Sequence, residues 1–232
     1  MTSLAKSVIF VTGASGGLGV QWVKQSIDRG ATKVYAADIV PRDWKSDRIV
    51  PIALDVTDHA SIDRVAALAG DTTILINNAG VALRDPITKV DAAALRRAFE
   101  IDFFGGVFMA QRFAPILAQR GGGAILNVVS AMSWIAWSGG YSAAKAAFWS
   151  ATNSMRLELL PQKTHVLALH MGYVDTPMTA GISRPKVAAD AIVRLALDGL
   201  EAGEHEVVGD DITRQIRTKL GGPLTELYPE LL

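Results

Sequence analysis

A chain of 232 residues, half of them hydrophobic, is long enough to bury a sizeable core, and one α/β domain spanning residues 1–232 is expected. Its zero net charge gives no electrostatic reason to seek nucleic acid or an anionic membrane. Without cysteine it has neither a disulfide framework nor a thiolate metal site, and His59, His165, His170 and His205 lack metal-ligand spacing, so no metal is expected and the four read as ordinary surface or packing residues.

The first apolar run, 7–12, predicts a buried strand, and the pattern after it predicts a helix over 17–29. Strands follow at 33–37, 49–54, 73–77, 123–129, 165–170 and 205–208, with helices at 59–69, 91–119, 141–160 and 186–199. The strands are continuous Val, Ile, Leu and Ala runs, as in a sheet covered on both faces. Their alternation with helices predicts a doubly wound, Rossmann-type, mostly parallel seven-stranded sheet. No run approaches the ~20 apolar residues of a bilayer span. The apolar stretch near the start is too short for a secretory signal core, so a cytoplasmic protein is expected. Helices 91–119 and 141–160 are apolar on several faces, which suggests burial in the interface of a homodimer or homotetramer.

After the first strand, Gly13, Gly16, Gly17 and Gly19 fall within seven positions. Glycines there let a backbone approach a ligand closely, and the following helix presents free N–H groups to a pyrophosphate. The spacing is T-G-x-x-x-G-x-G. Asp38 closes the second strand about 20 residues on, where a carboxylate can accept from a ribose 2′-OH and repel a 2′-phosphate. Positions 14 to 16 offer no basic residue, so NAD is expected over NADP; Arg42 is the one dissenting charge.

With these features in order, the chain resembles the short-chain dehydrogenase/reductase family along nearly all of its length. Thr12-Gly13-x-x-x-Gly17-x-Gly19, Leu54-Asp55-Val56, Asn77-Asn78-Ala79-Gly80, Ser130, Tyr141-x-x-x-Lys145 and Gly172-Tyr173-Val174-Asp175-Thr176 carry the resemblance. It implies cofactor contacts from Gly13, Ser15, Gly17, Leu18, Gly19, Asp38, Ile39, Asp55, Val56, Asn78, Ala79, Gly80, Tyr141, Lys145, Gly172, Val174 and Thr176. It also implies a catalytic set of Ser130, Tyr141, Lys145 and, in the long helix, Asp102.

The chemistry suits these residue types. Tyr141 and Lys145 share a helix face. An ammonium at ~4 Å and an effective dielectric of ~20 attracts a phenolate by roughly 4 kcal/mol. That would lower the phenol pKa by up to about 3 units, to near neutrality. Tyr141 would then exchange a proton with an alcohol or ketone while Ser130 hydrogen-bonds the reacting oxygen.

Three positions depart from the family pattern. Asp102 stands where the family has Asn, and its charge could pair with Lys145. The interval from Ser130 to Tyr141 is short, which leaves Ser133 and Ser138 as alternatives to Ser130. Met171 replaces a proline. Met132, Ser133, Trp134, Trp137, Tyr173 and Met178 are expected to line an apolar substrate pocket, with Arg84 and Arg184 as isolated cations. The leading expectation is an NAD-dependent oxidoreductase of a secondary alcohol or ketone; the alternative is a dinucleotide-binding sensor without catalysis.

Overall fold

The computed structural model describes residues 2–231. Its elements run β1 (Val8–Thr12), α1 (Gly17–Asp28), β2 (Lys33–Asp38), β3 (Ile49–Ala53), α2 (His59–Leu68), β4 (Ile74–Asn77), α3 (Ala92–Phe99), α4 (Gly106–Gln119), β5 (Gly123–Val128) and α5 (Gly139–Glu158). They continue with β6 (Thr164–His170), β7 (Val174–Asp175), β8 (Val187–Ala188), α6 (Ala189–Ala202), β9 (Glu206–Val208), α7 (Asp211–Lys219) and α8 (Leu224–Leu227). Seven strands form one sheet in the order β3-β2-β1-β4-β5-β6-β9, and every pair in it is parallel.

Strand side chains alternate between two cores, as the period of two requires. Ile9 and Val11 join Trp22 and Val23 of α1 and Ile192 and Leu197 of α6 on one face. Phe10 and Leu75 join Ile62 of α2, Phe113 of α4 and Phe148 of α5 on the other. The order reverses between β1 and β4, so the loops leaving their carboxyl ends part and open a crevice. The glycine turn, Asn78-Ala79-Gly80 and Ser130 follow the carboxyl ends of β1, β4 and β5 on that side of the sheet.

The strands expected from apolar runs are present to within a residue at each end. The long helix is more complex. Between α3 and α4 lies a π-helical turn, Glu100–Gly105, whose wider winding brings Ile101, Asp102 and Gly105 to the buried side. An 18-residue stretch of the run Ala92–Gln119 has a mean hydropathy of 1.2, so by length and composition alone this helix is apolar enough to cross a bilayer. Met109, Phe113 and Leu117 nevertheless pack against the sheet. The helix expected from residue 186 begins at Ala189, because Val187 and Ala188 pair with β7.

Helix α7 escaped the pattern reading, since only Ile212 and Ile216 punctuate a polar segment. It is held instead by Asp210, whose side chain accepts from Thr213 N at 2.8 Å, and by Ile216, packed near Trp134.

Candidate active site

At Gly13, Gly17 and Gly19 the turn leaves no room for a Cβ, which brings bare backbone to the groove. Gly13 sits at φ +65°, and a Cβ there would lie 2.9 Å from Ala79 Cα. Thr12 ties this turn to β4: its Oγ1 accepts from Asn78 N at 2.9 Å and from Ala79 N at 3.0 Å. The Asn78 amide donates to the carbonyls of Thr12 and Gly13 at 2.9 and 3.0 Å, and its oxygen accepts from Trp22 Nε1 at 3.0 Å. Thr12 and Trp22 were not among the expected site residues, although the threonine opens the glycine motif itself.

A groove of about 300 Å³ runs from this turn. Gly13, Gly17, Leu18 and Gly19 line its floor; Asp38, Ile39, Asp55 and Val56 its far end; Asn78, Ala79 and Gly80 its side; and Thr176 its opposite rim. Arg97 lines it too and had no signal in the sequence. Ser15 does not line it. Its N–H donates to Asp38 Oδ2 at 2.9 Å and its hydroxyl to the Val40 carbonyl at 3.0 Å. Ser15 thus orients the carboxylate rather than facing the groove. Arg42 stacks on Trp44, 5.4 Å from the ring centroid. The Asp55 carboxylate closes a local turn with Thr57 N and Oγ1 at 2.9 and 2.7 Å.

At the near end of the groove the structure brings Tyr141, Lys145 and Asp102 together. Lys145 Nζ donates to the Val128 carbonyl at 3.2 Å and pairs with Asp102 Oδ1 at 3.3 Å. Asp102 Oδ1 also accepts from Val81 N at 3.2 Å, while Oδ2 is buried without a protein partner. A Cβ on Gly80 would lie 2.7 Å from Asp102 Oδ1, so the glycine makes room for the carboxylate. The Lys145 ammonium lies 5.6 Å from the centre of the Tyr141 ring.

Burial raises the Asp102 pKa even though Lys145 opposes it. Burial works against the Lys145 ammonium, but Asp102 and Tyr141 outweigh it and its pKa is raised. The Tyr141 phenol is raised as well, by burial first; Lys145 and the Ser130 hydroxyl pull it down, and Asp102 pushes it up. This corrects the expectation that the Lys145 charge brings the phenol near neutrality, while the expected pairing of Asp102 with Lys145 is present. Its charge is shared with Asp102, and the dry site penalises a phenolate.

Ser130 follows β5 at φ +140° and ψ 157°, a region that costs a non-glycine residue about 1–3 kcal/mol. The turn is held by several bonds. Ser130 Oγ accepts from Met132 N at 3.1 Å, Ala131 N donates to the Met171 carbonyl at 2.9 Å, and Ser133 Oγ donates to the Ser130 carbonyl at 2.7 Å. Of the three serines considered, Ser133 is spent on this turn. Ser138 precedes α5, and its N–H donates to Ser142 Oγ at 3.1 Å. Ser130 and Ser138 both line the cavity beside Tyr141, and of the two it is the Ser130 hydroxyl that lowers the Tyr141 pKa.

Ser130 and Tyr141 also line a second, apolar cavity of about 110 Å³ that meets the groove at Leu18, Tyr141, Met171 and Met178. Gly172 and Val174 line this cavity rather than the groove. Gly172 N donates to Asp210 Oδ2 at 2.7 Å, which fixes the loop after β6. Of the expected pocket residues, Met132, Tyr173 and Met178 line it. Trp137 is 53% exposed, and Ser133 and Trp134 are buried beneath.

Trp134 belongs to a cluster that the sequence did not announce. It stacks on His170 at 3.9 Å, and Trp149 meets His170 edge-on at 6.1 Å. His170 Nδ1 lies 3.2 Å from the Ser130 carbonyl, and Nε2 faces Glu206 at 3.6 Å, too far for a hydrogen bond. Glu206 accepts from Trp149 Nε1 at 2.9 Å and pairs with Arg217 at 2.7 Å. The polar edge of the His170 ring 3.6 Å away, the Trp149 hydrogen bond and the Arg217 charge together hold the Glu206 carboxyl down to about 2. Burial lowers the His170 pKa, so the imidazole is neutral at pH 7. This histidine is a buried support of the Ser130 turn.

A family profile described as short chain dehydrogenase matches residues 7–186, and the chain belongs to that family. It is similar to a short chain dehydrogenase from Burkholderia cenocepacia solved in complex with NADP: 34% identity, TM-score 0.93, with 99% of each chain covered. It is 34% identical to cis-4-hydroxycyclohexanecarboxylate dehydrogenase of Sinomonas cyclohexanicum, over 84% of this chain and 91% of that protein. It is 28% identical to 1-deoxy-11-beta-hydroxypentalenate dehydrogenase of Streptomyces exfoliatus, over 94% of this chain and 93% of that one. The protein is therefore an oxidoreductase by family, with the seven-stranded parallel Rossmann-type sheet of its structural relatives.

Proposed function

We propose that the protein is an NAD(H)-dependent oxidoreductase that interconverts a secondary alcohol and its ketone. One observation carries this reading: Ser130 and Tyr141 line an apolar cavity that meets the groove at Tyr141, with Lys145 lining the groove beside it. The glycine turn, with no space for a Cβ at Gly13, Gly17 and Gly19, and the carboxylate at the groove's far end fit a dinucleotide with a free ribose diol. A bound nicotinamide would supply the hydride acceptor or donor. Tyr141 would take the hydroxyl proton in oxidation and return it in reduction, and Ser130 would hold the oxygen between the two states. Lys145 would favour the ionised phenol and hydrogen-bond the nicotinamide ribose. The two curated relatives above are named as dehydrogenases of hydroxy compounds, which supports a secondary alcohol as substrate.

The preference for NAD(H) rests on Asp38, held toward the groove by Ser15 N and Val40 N, and on Arg42 being engaged with Trp44. The NADP held by the similar Burkholderia cenocepacia protein points the other way, so the cofactor is to be tested directly. Fluorescence titration should give tighter binding of NADH than NADPH, and the reverse order defeats the assignment.

The reading as a non-catalytic sensor has one observation in its favour, the sharing of Lys145 with Asp102. Tyr141→Phe separates the two readings. Turnover should fall about 10²- to 10⁴-fold while NADH binding persists. Retained turnover would refute the role given to the phenol.

The assembly reading is a homodimer or homotetramer through α4 and α5. Phe104 and Phe108 stack at 5.6 Å on the incompletely buried face of the long helix, and Leu157 and Leu160 are 74% and 68% exposed at the end of α5. Light scattering that gave a monomer at micromolar concentration would overturn it.

A further inference from the structure

We propose that Arg84 anchors an anionic group of the substrate, so that the alcohol oxidised here is a hydroxy acid: a compact hydrocarbon skeleton with a carboxylate across from the carbinol. The proposal rests on the oxidoreductase reading above and adds the substrate class.

The cavity beside Ser130 and Tyr141 has walls of Leu83, Met132, Met171, Tyr173, Val174 and Ile182. Such walls accept a hydrocarbon and offer it no orientation. Arg84 is the only residue lining this cavity that carries a charge at neutral pH. It sits on the segment after β4, and its Nη2 donates to the Met178 carbonyl at 2.6 Å, a bond between residues 94 positions apart. That bond ties it to the loop carrying Met178, a residue shared by the cavity and the groove.

A guanidinium has five N–H donors in a planar fork. Here one bond is made to protein, and Arg84 pairs with no carboxylate among the described residues. The adjacent Asp85 does not neutralise it. Arg84 is exposed, so its charge costs little to hold, and it is fixed by Met178 rather than free to swing away. An arginine so placed matches a carboxylate with its remaining donors. A substrate gripped there has its apolar body against Leu83 and Met132 and its hydroxyl at Ser130 and Tyr141. Carboxylate binding thus selects which carbon is presented for oxidation to the ketone.

The competing role for Arg84 is to latch the loop of Met178, which would serve every substrate equally. Initial rates of NAD⁺ reduction with 4-hydroxycyclohexanecarboxylate and with its methyl ester distinguish the two. The wild-type protein should prefer the acid. Arg84→Ala should lower kcat/KM for the acid about tenfold to hundredfold, mostly through KM, and leave the ester within about twofold. Arg84→Lys should keep part of the preference as a point charge. Equal losses on acid and ester, or a wild-type preference for the ester, overturn the anchor and leave the oxidoreductase reading standing. Turnover of neither compound, nor of a panel of simpler secondary alcohols, by protein that binds NADH removes both.

Discussion

Two carboxylates flank the candidate site and meet opposite fates. Asp102 lies in the π-helical turn, paired with Lys145, with one oxygen that has no protein partner. Its pKa is raised by burial. Glu206, on β9 at the other side, receives Trp149 and Arg217 at 2.9 and 2.7 Å, and its pKa falls to about 2. An ion pair alone therefore does not decide the protonation of a buried acid; the number of hydrogen bonds offered against the dehydration cost does. The Glu206 carboxylate is hydrogen-bonded and ion-paired, although His170 Nε2 and Trp134 Nε1 beside it lack hydrogen-bond partners, and on the side acting on Tyr141 the Asp102 carboxylate is left underbonded. Proton exchange is proposed on the underbonded side.

Their contributions to stability have opposite pH dependence. For Glu206 the folded value lies below the ordinary 4.5, so its stabilisation is present above pH 4.5 and is lost as pH falls toward about 2. For Asp102 the folded value lies above the ordinary 3.8, so the native state holds its proton longer and stability declines as pH rises through that window.

The largest effect should come from removing the cation on the underbonded side. Lys145→Met strands Asp102 without a counter-charge and should cost about 3–5 kcal/mol in urea denaturation. Adding Asp102→Asn should recover part of that loss, and additivity of the two would show that they do not interact. Next in size, Glu206→Gln should flatten the pH dependence of stability between about 4.5 and 2, a contribution on the order of 3 kcal/mol. Urea midpoints compared at pH 5 and pH 3 measure it; an unchanged slope would mean that His170, Trp149 and Arg217 do not hold the carboxylate. The smallest effect is kinetic. Asp102→Asn removes a charge that raises the Tyr141 phenol, so the pH–rate profile for alcohol oxidation should move to lower pH. A shift to higher pH would contradict the proposed coupling, and near-total loss of turnover would give the carboxylate a chemical task of its own.

The amino-acid order alone settled what depends on neighbours along the chain. Buried strands follow from continuous apolar runs, the nucleotide turn from glycines after the first of them, and the shared face of Tyr141 and Lys145 from a spacing of four. Polar α7 and the π-helical turn had no such local signal, because burial of one side chain and the winding around Asp102 are decided by what packs against them.

The same limit applies to the chemistry. That Lys145 is shared with Asp102, that Ser130 is bent to φ +140° over His170, and that Arg84 is fixed to Met178 all join residues dozens of positions apart. Desolvation and ion pairing are properties of a closed space, and only the folded sheet closes it.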